Sequence, residues 1–239
     1  MKKAILVGVL VCMIPVFGFS QSRRGGGYSD DAWKNNWLYL GARIGGSPNF
    51  YKPAEEFKDL GVDSLEGSFG FNLAAQIAVQ FVDLFAVQAE LMYTHDKGSY
   101  KEGGYELNAS YDSLLIPILA KLTFRPNNFL IAPFAGIYFT IPLGEIEVKE
   151  SLSGYGSDSE KYEFETSAGF MIGASFGIKV GPGVLFADLR YAGDFTDTKI
   201  KDGGQSIEYF TRSKLPITIG YEIGLMSKGG SSGGGGRRY

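Results

Sequence analysis

Apolar and polar residues alternate one by one along most of the chain after residue 36. In the first such run, Leu38, Leu40 and Ile44 fall on one side and Arg43 falls on the other. A period of two residues is the pattern of a β-strand with two different faces. Repeated along the chain, this pattern predicts eight strands, at residues 37–50, 69–81, 85–93, 111–124, 129–141, 164–180, 185–191 and 212–226.

The connections between these strands alternate between short and long. Transmembrane β-barrels combine short periplasmic turns with long external loops, whereas compact soluble domains contain few long irregular connections. The sequence therefore predicts an all-β fold, an eight-stranded antiparallel up-and-down transmembrane β-barrel over residues 37–226. The short connections are 82–84, 125–128 and 181–183, and the long ones, expected to be unstructured loops, are 51–68, 95–110, 142–163 and 194–211.

The two strand faces differ in a way that assigns them to lipid and to the barrel interior. Large apolar side chains occupy one face, which suits lipid, while small and polar residues occupy the other. Charged groups on that second face are expected to pair in the lumen, because an unpaired buried charge is costly. The predicted lumen ionic cluster is Arg43, Glu90, Lys121, Asp188, Arg190 and Glu222.

The N-terminus has the pattern of a secretory signal peptide. Lys2 and Lys3 precede an apolar run from Ala4 to Phe19, and cleavage is predicted before Gln21. A retained membrane anchor is the alternative, although it needs about twenty apolar residues. The predicted organisation is a signal peptide at 1–20, a periplasmic N-terminal segment at 21–36, the barrel at 37–226 and a flexible tail rich in Gly, Ser and Arg at 227–239.

Composition excludes several classes of function. The only cysteine, Cys12, lies in the signal peptide, so the mature chain has neither a disulfide nor a cysteine metal site. Loss of Lys2 and Lys3 leaves 21 basic against 26 acidic residues, a net charge of −5 that does not suggest nucleic-acid binding. His95 is the only histidine, and no nucleophile-elbow motif accompanies it.

No catalytic residue, metal site or cofactor is predicted. The loop carboxylates between 145 and 163 are interpreted as a solvated acidic loop, and a weak calcium site is the alternative.

Three segments resemble a known family. They are Leu114–Lys121, Pro133–Gly136 and Ala187–Gly193, and they are similar to the outer-membrane protein β-barrel domain family, relatives of PorT and of small OmpA- and OmpX-type barrels. The resemblance covers residues 37–225 and implies an outer-membrane location. The last strand also resembles the signal that the barrel assembly machinery reads, through Gly220, Tyr221, Ile223 and Leu225.

Eight strands enclose an interior that side chains just fill, so a structural, adhesive or surface-interaction role is the leading hypothesis. Expected partners are outer-membrane lipid, lipopolysaccharide or its equivalent, the assembly machinery and extracellular ligands of the loops. A membrane-embedded enzyme is a third hypothesis. The alternative, a narrow OmpW-like channel for small solutes, follows from small inward residues, namely Gly41, Ala74, Ala78, Gly136, Gly169, Gly173 and Gly220.

Overall fold

A computed structural model describes residues 36–53, 65–102, 105–144, 146–152, 155–195, 198–202 and 205–227. The predicted signal peptide, most of the N-terminal segment and nearly all of the C-terminal tail lie outside these residues. Within the described residues, no helix has the length and apolar character needed to cross a membrane.

The described residues form twelve strands, which together build the eight strands of one closed barrel. Strands β1 to β4 each run the full length of the wall. The other four barrel strands are each interrupted once, so that β5 continues into β6, β7 into β8, β9 into β10 and β11 into β12. The bounds are β1 Asn36–Pro53, β2 Leu65–Val82, β3 Phe85–Glu102, β4 Tyr105–Leu122, β5 Phe129–Pro142, β6 Ile146–Leu152, β7 Tyr155–Phe164, β8 Ser167–Val180, β9 Gly183–Asp194, β10 Thr198–Asp202, β11 Gln205–Lys214 and β12 Ile217–Ser227.

Every neighbouring pair in the wall is antiparallel, and the last strand pairs with the first. The register between β1 and β12 runs from Asn36 opposite Ser227 to Gly46 opposite Ile217, and β11 continues it from Lys214 opposite Asn49. Closure leaves no sheet edge within the barrel wall, which is the condition for placing strands in hydrocarbon. The predicted eight-stranded antiparallel barrel is therefore confirmed.

The predicted long loops are wrong in one respect, because much of their length is β-hairpin. β3 and β4 pair as far as Glu102 and Tyr105, and β6 pairs with both β4 and β7. β10 and β11 form a further hairpin, from Thr198 opposite Phe210 to Asp202 opposite Gln205. The wall strands carry their hydrogen-bond ladders past the point where apolar alternation stops, because ladder pairing requires no apolar face.

The outer face of the barrel is apolar and the inner face is polar. On the outside, Phe176 is 56% exposed and Ile219 is 53% exposed, while on the inside the charged Glu90 is 3% exposed. Ten residues separate the outward rings of Phe71 and Phe81, which at barrel tilt corresponds to about 25 Å, the height of a transmembrane apolar band.

Aromatic rings cluster at both ends of this apolar band. Phe81 and Phe85 pack at the end that carries the tight turns, with ring centroids 6.2 Å apart. At the opposite end, the ring of Phe170 lies 5.7 Å from that of Tyr191 and 6.0 Å from that of Phe195. Such girdles mark the two membrane interfaces of a barrel.

Candidate functional site: the charged interior of the barrel

Four charged side chains meet in the middle of the barrel, and we call them the ionic quartet: Arg43, Glu90, Asp188 and Arg190. Arg43 donates to Asp188 Oδ2 at 2.5 Å and to Glu90 Oε1 at 2.8 Å. Arg190 donates to the same two carboxylates, at 2.6 Å to Asp188 Oδ2 and 2.9 Å to Glu90 Oε2. Each cation therefore contacts both anions.

The quartet is removed from solvent almost completely. All four side chains have relative exposures of 0–1%. The ring of Phe134 lies under the guanidinium of Arg190 at 4.9 Å, and the ring of Phe186 lies under that of Arg43 at 5.6 Å. Desolvated ion pairs of this kind hold a fixed geometry, because separating them would leave buried charge without a partner.

The other two residues of the predicted cluster lie beside the quartet: the amide of Gln88 links Lys121 to it, and Glu222 is connected through Lys121. Lys121 Nζ lies 3.7 Å from Glu222 Oε2 and donates to Gln88 Oε1 at 3.2 Å. Gln88 in turn donates to Glu90 at 2.5 Å, and Gln76 donates to Glu222 at 3.0 Å. The structure thus brings all six predicted residues into one interior network.

A second group of charges lies nearer the hairpin end, and sequence reasoning missed it. In this outer cluster, Lys214 donates to Asp96, which also accepts from Asn49 at 3.0 Å. Arg212 lies 3.2 Å from Asp194. Asp194 also accepts from the Tyr138 hydroxyl at 2.5 Å, and Arg212 donates to the Tyr111 hydroxyl at 3.0 Å and to Thr140 at 3.2 Å.

The signal for the outer cluster was present in the alternation of each strand. Asp96 continues the inward positions of Glu90, and Asp194 continues those of Arg190. Both aspartates fall in segments assigned to loops, because the apolar half of the pattern ends at Tyr93 and Tyr191. The polar half continues on the same face.

The charges inside the barrel balance. Five basic and five acidic side chains are buried within the described residues, so the formal charges of these ten side chains cancel. The cations are Arg43, Lys121, Arg190, Arg212 and Lys214, and the anions are Glu90, Asp96, Asp188, Asp194 and Glu222.

Inward glycines make room for rings. A Cβ added to Gly169 would lie 2.4 Å from the ring of Tyr138 and from the carbonyl oxygen of Gly193. At Gly173 the added atom would lie 2.8 Å from the ring of Phe134. Together with Met92, Leu115, Leu119 and Met171, these rings form an apolar cluster inside the wall. Two of the small residues that suggested an open lumen, Gly169 and Gly173, thus accommodate large neighbours.

The turn end of the barrel has a polar closure of its own. Arg125, in the short connection after β4, lies 5.1 Å over the ring of Tyr39 and donates to Gln80 Oε1 at 3.1 Å. The amide of Gln80 donates to Thr123 at 2.7 Å and to the carbonyl oxygen of Val82 at 2.7 Å.

The residues of the predicted assembly signal lie on the strand that closes the barrel. Gly220 faces inward beside Phe186, and the Tyr221 hydroxyl donates to the carbonyl oxygen of Val180 at 2.8 Å. Ile223 and Leu225 follow on the same strand, where Ile223 lies opposite Leu40 of β1. Their recognition by assembly machinery stays a prediction.

His95 lies on the outer face and not in the interior. Its Nδ1 is 2.8 Å from Asp112 Oδ1. Within the part of the chain that the structure describes, no group of three or more His, Cys, Asp or Glu side chains could hold a metal ion. Side chains of the predicted acidic loop between 145 and 163 lie outside that part.

Residues 19–199 match the family described as "Outer membrane protein beta-barrel domain". The chain belongs to this family. Its membership places the protein in the outer membrane and agrees with the apolar outer face and closed antiparallel wall. None of the curated proteins compared with the chain matches it significantly.

Solved structures with a similar fold are also outer-membrane proteins. OprG from Pseudomonas aeruginosa has a TM-score of 0.48 and 13% identity, over 80% of this chain and 98% of its own. A major outer-membrane protein from Thermus thermophilus has a TM-score of 0.45 and 12% identity, over 78% and 99%. Neisserial surface protein A has a TM-score of 0.40 and 12% identity, over 79% and 97%.

Proposed function

We propose that this family member is a closed, non-enzymatic outer-membrane barrel that anchors a set of β-hairpins at the cell surface for structural or adhesive contacts. The observation that carries the proposal is the near-complete burial of the ionic quartet, whose side chains are 0–1% exposed. A solute path through the middle of the barrel would expose at least one of these groups to water.

The energetics of buried ions support a closed interior. Taking a carboxylate out of water costs several kcal/mol unless it is paired and hydrogen-bonded. Asp188 accepts from both arginines of the quartet, and Glu90 accepts in addition from Gln88. Opening a channel here would require breaking several of these contacts together.

The hairpin end supports the surface role. β3, β4, β6 and β7 continue as a sheet beyond the apolar band, with β6 paired to β4 along residues 105–110. A paired sheet presents a defined surface, whereas an irregular loop loses conformational entropy when it becomes ordered against a partner. Lipopolysaccharide or its equivalent and extracellular ligands are the partners we propose for this end.

A narrow channel is the second candidate, and one observation favours it. At the level of Gly45, which lies opposite both Asn72 and Thr218, both amide atoms of Asn72 and the hydroxyl of Thr218 are buried without a hydrogen-bond partner among the described residues. Buried polar groups in proteins are almost always satisfied, often by internal water. A hydrated pocket at this level is the natural starting point for a solute path.

Planar-bilayer recordings of the refolded protein, residues 21–239, separate these two functions. The closed barrel should give no stepwise current, while the channel should give discrete conductance steps from the wild type. Surface labelling of intact cells tests the display role: an epitope inserted at 153–154, in the sequence between the end of β6 and the start of β7, should be accessible without permeabilisation. An epitope in the 181–183 turn is the matched control and should stay hidden.

A further inference from the structure

The outward row of β3 changes character at His95. From Phe85 to Tyr93 this row is apolar or aromatic, with Leu91 41% exposed. The next two outward residues are His95 and Lys97, both polar. They lie at the edge of the apolar band, with His95 directly opposite Phe71 of β2, at the level where a barrel meets the headgroups of the surrounding lipid.

Asp112 orients the ring of His95. It lies directly opposite His95 on β4 and accepts from the Tyr93 hydroxyl at 2.7 Å, with His95 Nδ1 at 2.8 Å from the same oxygen. An ionised carboxylate can only accept, so Nδ1 is the donor in this contact. Nε2 is on the far side of the ring, and the His95 side chain is 39% exposed.

The backbone that carries these residues is fixed from the inner face. Asp96, which lies between them, is held by Lys214 and Asn49 in the outer cluster. The Tyr51 hydroxyl donates to the carbonyl oxygen of Lys97 at 3.1 Å. Both outward side chains therefore start from a rigid position on the barrel wall.

We propose that His95 and Lys97 bind the phosphate group of a membrane lipid on the outer face of the barrel, with Asp112 as the residue that positions the imidazole. Alternate residues on one strand face lie about 7 Å apart, a gap that one phosphate group can bridge. As an imidazolium, His95 donates from both ring nitrogens, to Asp112 and to phosphate, and the Lys97 ammonium supplies the second positive charge. The site does not depend on whether the interior conducts.

The single histidine of the chain makes the contact measurable. Protein carrying ¹⁵N-histidine and a tag without histidine is reconstituted into phosphatidylglycerol bilayers at mildly acid pH. A hydrogen bond to a phosphate oxygen places Nε2 and phosphorus roughly 4 Å apart. Solid-state NMR should then show ¹⁵N–³¹P dephasing at Nε2, and the absence of dephasing would overturn the proposal.

Variants and a change of lipid complete the test. Dephasing should be lost in Asp112→Asn and reduced in Lys97→Gln, while Lys52→Gln, an exposed lysine on β1 near the same end, should leave it unchanged. Because Lys97 is exposed, its variant folds even if Asp112→Asn does not, and unchanged dephasing in Lys97→Gln would contradict the site. Equal dephasing from inorganic phosphate in phosphate-free galactolipid bilayers would show a soluble-phosphate site and overturn the assignment to lipid.

Discussion

Arg43 and Arg190 lie on different strands of the barrel and share the same two carboxylates. Arg43 is on β1 and Arg190 is on β9, and both donate to Oδ2 of Asp188, at 2.5 and 2.6 Å. β12 lies between β1 and β9 in the wall, where it pairs with both. The contacts that Arg43 and Arg190 share therefore add a connection between β1 and β9 that crosses the barrel interior and does not follow the wall.

Replacing Arg190 with Met should lower the free energy of unfolding by roughly 3 kcal/mol, because Glu90 and Asp188 would then be left with one arginine. Urea unfolding of the barrel in detergent measures the change. The double variant Glu90→Gln/Arg190→Met is the control and should recover part of the loss, since it removes one uncompensated charge. An unchanged midpoint for Arg190→Met would mean that water already solvates the quartet.

The quartet and the outer cluster should behave as independent closures. No residue of one donates to or accepts from the other in the contacts described, so the effects of Arg190→Met and Lys214→Met should add within about 0.5 kcal/mol. In planar bilayers neither single variant should conduct, because the other group still fills the interior, whereas the double variant should. Conductance from either single variant would show that the two groups form one gate.

Substituting Gly169 with Ala should lower stability by about 1–3 kcal/mol, as expected for overpacking. The added atom would lie 2.4 Å from the backbone oxygen of Gly193, which cannot move without disturbing the wall. Gly98→Ala is the matched control, because its nearest neighbour is the Tyr51 ring at 3.6 Å, an ordinary contact. Equal unfolding midpoints for the two variants would contradict the packing described for Tyr138.

The lipid-facing row of the closing strand should show a depth dependence. Ile219→Arg puts a charge near the middle of the outer face and should cost about 2–4 kcal/mol, whereas Ser213→Arg, outward but nearer the rim, should cost about 0–1 kcal/mol. The folding yield into bilayers and the mobility shift of the folded barrel on unheated gels measure the cost of each substitution. A larger loss at Ser213 would place the membrane boundary elsewhere.

Much of this architecture could be predicted from the sequence, for a physical reason. The alternation along Phe69–Phe81 or Phe164–Val180 can be recognised within a single strand, without knowing its neighbours. Successive residues of such a strand face lipid and the polar interior in turn, so they differ in polarity. The same alternation identifies Arg43 and Arg190 as inward. Alternation does not predict that Arg43 and Arg190 share Asp188. That contact depends on the register and stagger of strands that are not adjacent in the wall.

The misses have a similar cause. Asp96 and Asp194 fall in segments that the sequence predicts to be loops, because apolar residues stop before them, while the hydrogen-bond ladder depends on backbone groups and continues. Inward glycines such as Gly169 were equally ambiguous, since a missing side chain leaves either open space or room for a neighbour. Only the position of the Tyr138 ring decides between the two.

The long sequence separations within the quartet also constrain how the barrel can be made. Glu90 lies 47 residues after Arg43, Arg190 lies 100 residues after Glu90, and Asp188 lies 145 residues after Arg43. A partly inserted chain containing only β1 to β4 would thus bring Arg43 and Glu90 into the hydrocarbon without the β9 residues that complete their pairing. We expect the early strands to stay hydrated until β9 arrives, so that the wall crosses the membrane late and as a nearly complete cylinder.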